Sequence, residues 1–178
     1  RQLRLEPYLE TAAERVTDLA PLLRAEKARL AQTELCLVHG DFSPKNILIS
    51  PERMVAVDAE VGWFGDPVFD TAFLLTHFHL KALLHTNNPA PALSLVPTFW
   101  QAYTTALGSH ADADLEARIS RLVLCLLLAR VHGKSPVEYL TENKQRNFLT
   151  AFVRQHLPHP FSTLSLLKAS WQEGINRL

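Results

Sequence analysis

Between Leu35 and Asp58 the hydrophobic pattern changes period, and that change limits the folds open to this chain. On both sides of the stretch, apolar residues recur at helical spacing. Inside it they form three short runs, Leu35-Cys36-Leu37-Val38-His39, Asn46-Ile47-Leu48-Ile49-Ser50 and Met54-Val55-Ala56-Val57-Asp58. Each is too short for a helix and suits a buried strand. The last two flank Pro51-Glu52-Arg53, which is turn chemistry, and read as a hairpin. The expected fold class is mainly α with a small β hairpin near the front.

The helical parts carry their own punctuation. Glu6 to Leu30 reads as helix with a boundary or kink near Pro21, because Ala20 before it is biased away from the α region. Residues 67–85 and 93–107 follow, separated by the breaker Asn87-Asn88-Pro89-Ala90-Pro91, with Pro97 pointing to a second helix that begins only there. Leu115 to Val131 is a long, mostly apolar helix that belongs at the centre, and Gly133 ends it. Pro136, Asn143 and Pro158 bound shorter helices after it. The longest apolar run, Leu122 to Ala129, has eight residues, against the roughly 18 a membrane-spanning helix needs.

A chain of 178 residues with 47% hydrophobic side chains makes one ordinary domain with a real core. Lys+Arg and Asp+Glu number 18 each, so no global field is aimed at nucleic acid or anionic lipid. A cytoplasmic protein with no nucleic-acid or membrane partner is expected. Cys36 and Cys125 lie in apolar runs and read as buried, reduced thiols. Residue 1 is Arg, with no signal-peptide pattern after it, which points to a fragment, a processed product or a domain.

The polar residues that call for explanation concentrate between His39 and Asp70: His39-Gly40-Asp41-Phe42-Ser43-Pro44-Lys45-Asn46, Asp58-Ala59-Glu60, and Gly65-Asp66-Pro67-Val68-Phe69-Asp70. Asp41 follows one strand, Asn46 opens the next and Asp58 ends the third, so the hairpin carries Asn46 and Asp58 at the same end. Oxygen-bearing side chains gathered there suit a hard cation and a polarised hydroxyl.

These three segments resemble the catalytic half of the aminoglycoside phosphotransferase, choline kinase and methylthioribose kinase superfamily. The steps of five residues from Asp41 to Asn46 and twelve to Asp58 fit its spacing. The resemblance spans roughly Leu35 to Leu75. It implies a protein-kinase-like C-terminal lobe, here the whole of 1–178, with its catalytic and metal motifs in 35–70. It further implies Mg²⁺ and ATP as cofactors and a small-molecule hydroxyl acceptor.

By that resemblance Asp41 is the catalytic carboxylate that orients the acceptor hydroxyl and takes its proton. Asn46 and Asp58 hold Mg²⁺ against the nucleotide phosphates. Glu60 reaches the metal through water or binds the acceptor. His39 and Asp70 support the catalytic loop, and Asp66 before Pro67 caps the next helix. Ser43 stands where protein kinases often place a lysine, which favours a small-molecule substrate. Lys45 reads as a solvated lysine that can lend charge. Trp63 and Phe64 either line the acceptor pocket or pack on the helical core.

None of the six glycines forms a phosphate-cradling loop. The superfamily places that clamp in an N-terminal lobe, expected in cis and absent from this chain, so the isolated chain is expected to be inactive. The competing reading is a kinase-like lobe without turnover that acts as a binding or regulatory module. A metal-dependent hydrolase finds little support, because His77, His79 and His85 are two and six residues apart and do not share a helix face. Acceptor choice falls to variable segments, here residues 77–110 and 134–165. Asp112, Asp114, Glu138 and Glu142 form no single acidic wall for a cationic acceptor.

Overall fold

A computed structural model describes residues 5–178. A π turn, Glu6–Glu10, runs into α1, Thr11–Arg15, and a 3-10 turn, Thr17–Leu19, leads into α2, Ala20–Gln32. Strands β1, Cys36–Val38, β2, Ile47–Ile49, β3, Met54–Ala56, and β4, Trp63–Gly65, come next. Five helices complete the chain: α3, Val68–Leu84, α4, Ala90–Leu107, α5, Leu115–His132, α6, Asn143–His156, and α7, Leu164–Ile175. The mainly α class with a small hairpin is what the structure shows.

The core is built on α3 and α5, which form the most extensive interface of the molecule. Both are apolar on nearly every side; Leu122 to Ala129 of α5 are all buried, as are Phe69, Phe73, Leu75 and Leu80 of α3. A helix with that pattern is stable only when others surround it. The N-terminal helical segment and α6 pack on α5, while α4 packs on α3 and α7. No helix among the described residues is long and apolar enough to cross a membrane.

The N-terminal segment is tied to the C-terminal end of α5. Arg15 Nη1 donates to the carbonyls of His132 (3.1 Å) and Gly133 (3.0 Å), and the Lys134 amide donates to Pro7 O (2.9 Å). The two arginine bonds satisfy carbonyls that the end of α5 leaves open. Gly133 is required by space, since a Cβ there would sit 2.3 Å from Ala129 O.

Two helix boundaries differ from expectation. The break in the first helical stretch falls at Val16 (φ −122°, ψ 73°), while Ala20 is helical (φ −52°, ψ −43°). Pro21 sits in the first turn of α2, where a missing amide costs no bond, so it starts a helix rather than kinking one. Pro97 lies inside α4, not at its start. The preceding turns bury Leu93 and Val96 completely. Burial of such side chains contributes about 1.5–3 kcal/mol each, which offsets the hydrogen bond Pro97 removes. Cys125 is buried and Cys36 is half-buried; both are free thiols whose pKa is raised by burial.

The strands form two antiparallel pairs. The hairpin pairs Ile47 with Ala56 and Ile49 with Met54, as its turn chemistry requires. The second pair is non-local and unexpected: β1 aligns with β4, Cys36 opposite Gly65 and Val38 opposite Trp63. Trp63 packs edge-on to Phe69 of the core (centroids 4.9 Å apart), whereas Phe64 points outward and is exposed.

Candidate active site

The β1–β4 pair delivers two chain segments to one place. β1 runs out at Val38 into His39, Gly40 and Asp41, and β4 runs into Asp66, Pro67 and the start of α3. The Asp66 side chain accepts the Val68 amide (3.0 Å), which starts α3 and sets Asp70 facing the loop after β1. Asp70 Oδ2 accepts the His39 amide (2.6 Å) and Oδ1 accepts the Gly40 amide (2.9 Å). Burial raises the Asp70 carboxyl pKa against the pull of those two amides.

Gly40 makes the turn possible. Its φ is +82°, a left-handed conformation, and a Cβ would meet Val61 O and the Trp63 ring at 2.9 Å. His39 bridges both halves of the loop. Its Nε2 donates to Val57 O (3.0 Å), which leaves Nδ1 to accept the Asp41 amide (3.3 Å).

The other side of Asp41 is held as firmly. Its carbonyl accepts Asn46 Nδ2 (2.9 Å) and the Ser43 amide (2.8 Å). The backbone of Asp41 is therefore fixed from both directions while its carboxylate, nearly buried, reaches Lys45 Nζ at 3.3 Å. Lys45, which the sequence leaves as a solvated lysine, is exposed along most of its length but ends on this carboxylate.

The hairpin register puts Asn46 and Asp58 at the same end, although Asn46 is buried and does not line the cavity that Asp58 opens onto. The Val57 amide donates to Asn46 O (2.9 Å), so Asp58 is one residue past Asn46's cross-strand neighbour. Asp58 is exposed and takes φ +67°, a left-handed conformation that aspartate adopts more readily than most residues. With Nδ2 of Asn46 engaged, its Oδ1 is the atom left for a ligand. One amide oxygen and one carboxylate form a donor set that fits a Mg²⁺ ion completing its shell with phosphate and water. Among the described residues no three or more His, Cys, Asp or Glu side chains gather as a metal cluster.

Asp41, Asp58 and Glu60 open onto a cavity of about 670 Å³ whose far wall is His77 and Lys81 of α3, Arg130 of α5, and residues 135–139. His39 and Asp70 face a different, mostly apolar cavity of about 460 Å³ on the other side of the loop, with Phe99 and Tyr103. The loop is thus a partition, with carboxylates on one face and their supports on the other. Trp63 and Phe64 line neither cavity.

The far wall was not legible as a set. Of the expected acceptor segments, only their edges, at residues 77–81 and 135–139, reach the cavity. His77 faces it, while His79 turns into the core against Trp171, 5.8 Å between centroids. Arg130 and Tyr8 come from outside both segments.

The sequence profile of the phosphotransferase enzyme family matches residues 1–111, more than half of the chain. The chain belongs to that family. No curated protein matches it. The matched part of this phosphotransferase-family chain includes the loop, the hairpin, α3 and α4; Arg130 and residues 135–139 lie beyond it.

Proposed function

We propose that this chain is the C-terminal, catalytic lobe of a small-molecule kinase, transferring the γ-phosphate of ATP to a hydroxyl of a small acceptor. The observation that carries this reading is the placement of Asp41. Its carboxylate shares a cavity with Asp58 and Glu60 while its backbone is fixed by His39, Asn46 and Ser43.

Bound Mg²⁺ supplies charge neutralisation at the transferring phosphoryl group. Asn46 Oδ1 and the Asp58 carboxylate would hold it, with Glu60 exposed beside them to take a bridging water or the acceptor. Asp41 orients the acceptor hydroxyl toward phosphorus. As the new P–O bond forms and the bond to the leaving diphosphate breaks, the hydroxyl proton passes to the Asp41 carboxylate. Positioning dominates such chemistry, which is why the supports of Asp41 matter as much as its charge.

A nucleotide-binding lobe is proposed to cover the exposed strands. The support is a set of outward apolar side chains: Leu37 is 78% exposed, Ile49 79%, Met54 69% and Leu48 56%. Side chains of this kind gathered on small strands mark an interaction surface.

In the full-length protein, Asp41→Asn is expected to lower Mg·ATP-dependent phosphorylation of a hydroxyl acceptor by about 10³-fold or more, as loss of the proton acceptor and orienting charge requires. Thermal stability should barely move. Near-normal turnover would overturn the assignment, and a wild-type protein that binds acceptor without turnover would establish the binding-module reading.

A further inference from the structure

The far wall of the Asp41 cavity holds two cations that pair with no carboxylate among the described residues. Arg24, Lys27, Arg29, Arg118, Arg121 and Arg154 each lie within 2.9 Å of an acidic oxygen. Lys81 and Arg130, both half-buried, have no carboxylate within 4.0 Å among the described residues. Both are nonetheless built into place. Lys81 Nζ lies over the Tyr139 ring, 4.2 Å from its centroid. Arg130 Nη1 donates to Tyr8 Oη (3.0 Å) and Ser135 O (2.7 Å), and its guanidinium lies 5.6 Å from the Tyr8 ring. Its Nη2 donates to no described residue.

The rest of that wall does not cancel these charges. Glu138 is exposed and pairs with neither. His77, on the same wall, has its Nδ1 3.5 Å from Tyr139 Oη. Burial, followed by the repulsion of Arg130, holds its imidazole down to about 4, so it is neutral at pH 7. Of the other acids of the cavity, Asp58 and Glu60 stand on the hairpin side, where Asp58 is assigned to the metal, and Asp41, near enough to raise the pKa of His77, reaches Lys45 at 3.3 Å.

We propose that the acceptor carries an anionic group, a carboxylate or phosphate, which Lys81 and Arg130 Nη2 bind while its hydroxyl meets Asp41. This rests on the kinase reading for the meaning of the cavity. A planar guanidinium edge and a compact ammonium together suit a group with several charged oxygens. An aminoglycoside or a choline-like acceptor would meet like charge on this wall.

The test is binding by the full-length protein, without nucleotide or metal, so that its outcome does not depend on phosphoryl transfer. Four probes share a three-carbon hydroxylated skeleton: glycerate, glycerol 3-phosphate, glycerol and 3-amino-1,2-propanediol, titrated at matched ionic strength and followed by calorimetry. At least one anion is expected to bind at least about tenfold tighter than glycerol, and the amine more weakly than glycerol. Whichever anion binds tighter tells carboxylate from phosphate recognition. Lys81→Met should remove about tenfold of the preference, and Lys81→Glu should reverse the order toward the amine at an unchanged thermal midpoint. A merely structural lysine would not invert the order. Binding by none of the four, preference for the amine, or an order unchanged by Lys81→Glu would overturn the proposal. Anion binding with no turnover in any assay would instead count against the kinase reading and leave this site standing.

Discussion

Both carboxylate oxygens of Asp70 accept successive main-chain amides, so one side chain sets the path of the loop between β1 and Asp41. Asp70→Ala is expected to cost about 2–3 kcal/mol, from two amides that lose a charged acceptor in a partly buried place. Denaturant unfolding measures this, and amide exchange at Gly40 should accelerate in parallel; an unchanged midpoint would mean that water replaces the carboxylate. The places of Asp41, Asn46 and Asp58 were legible because each adjoins a run whose period the sequence displays, whereas His39 and Asp70 were picked out through the family resemblance. Lys81 and Arg130 were not legible. They lie on α3 and α5, which are buried on so many sides that no apolar stripe gives the phase of the helix.

At the scale of elements, a network of charges links α2, α5 and the start of α3. Buried Glu26 accepts from Arg29 Nη2 (2.7 Å) through one oxygen and from Arg121 Nε (2.8 Å) through the other, and Arg29 also reaches Asp66. Glu26→Leu is expected to cost about 2 kcal/mol, below the usual figure for breaking a buried pair because both arginines keep contact with solvent. Adding Arg29→Met should then cost less than the two single changes together, since the partner is already lost; additive costs in denaturation would rule out coupling. The hairpin was readable from two short apolar runs and the Pro51-Glu52-Arg53 turn between them, a local signal. β4 was missed because its pairing with β1 joins residues far apart in sequence, and three residues carry no period. Pro97 misled for a related reason: the burial of Leu93 and Val96 that overrides it is tertiary.

Across the whole molecule, buried histidines set the response to acid. His77 and His79 are held down to about 4, chiefly by burial, and His79 Nδ1 donates to Leu75 O (2.8 Å) while its Nε2 is buried without a partner. Both are neutral in the fold, whereas the unfolded chain takes up protons below pH 6.5. The stability they allow is therefore complete above about pH 6.5 and lost progressively as pH falls toward 4, by about 2 kcal/mol each between pH 7 and 5. His79→Leu should remove about 2 kcal/mol of the drop in unfolding free energy between those two pH values; an equal drop in both proteins would remove His79 as a cause.

The anchoring of the Asp41 loop has a consequence for heating. Asp70 belongs to α3, and α3 is half of the central pair, so the loop has no hinge of its own to soften early. Many enzymes fade some degrees below the temperature at which they come apart, because the segment that does the chemistry opens in a cheaper local step. Here that step would have to break the loop away from a helix of the central pair. Function and structure should disappear on heating as one event.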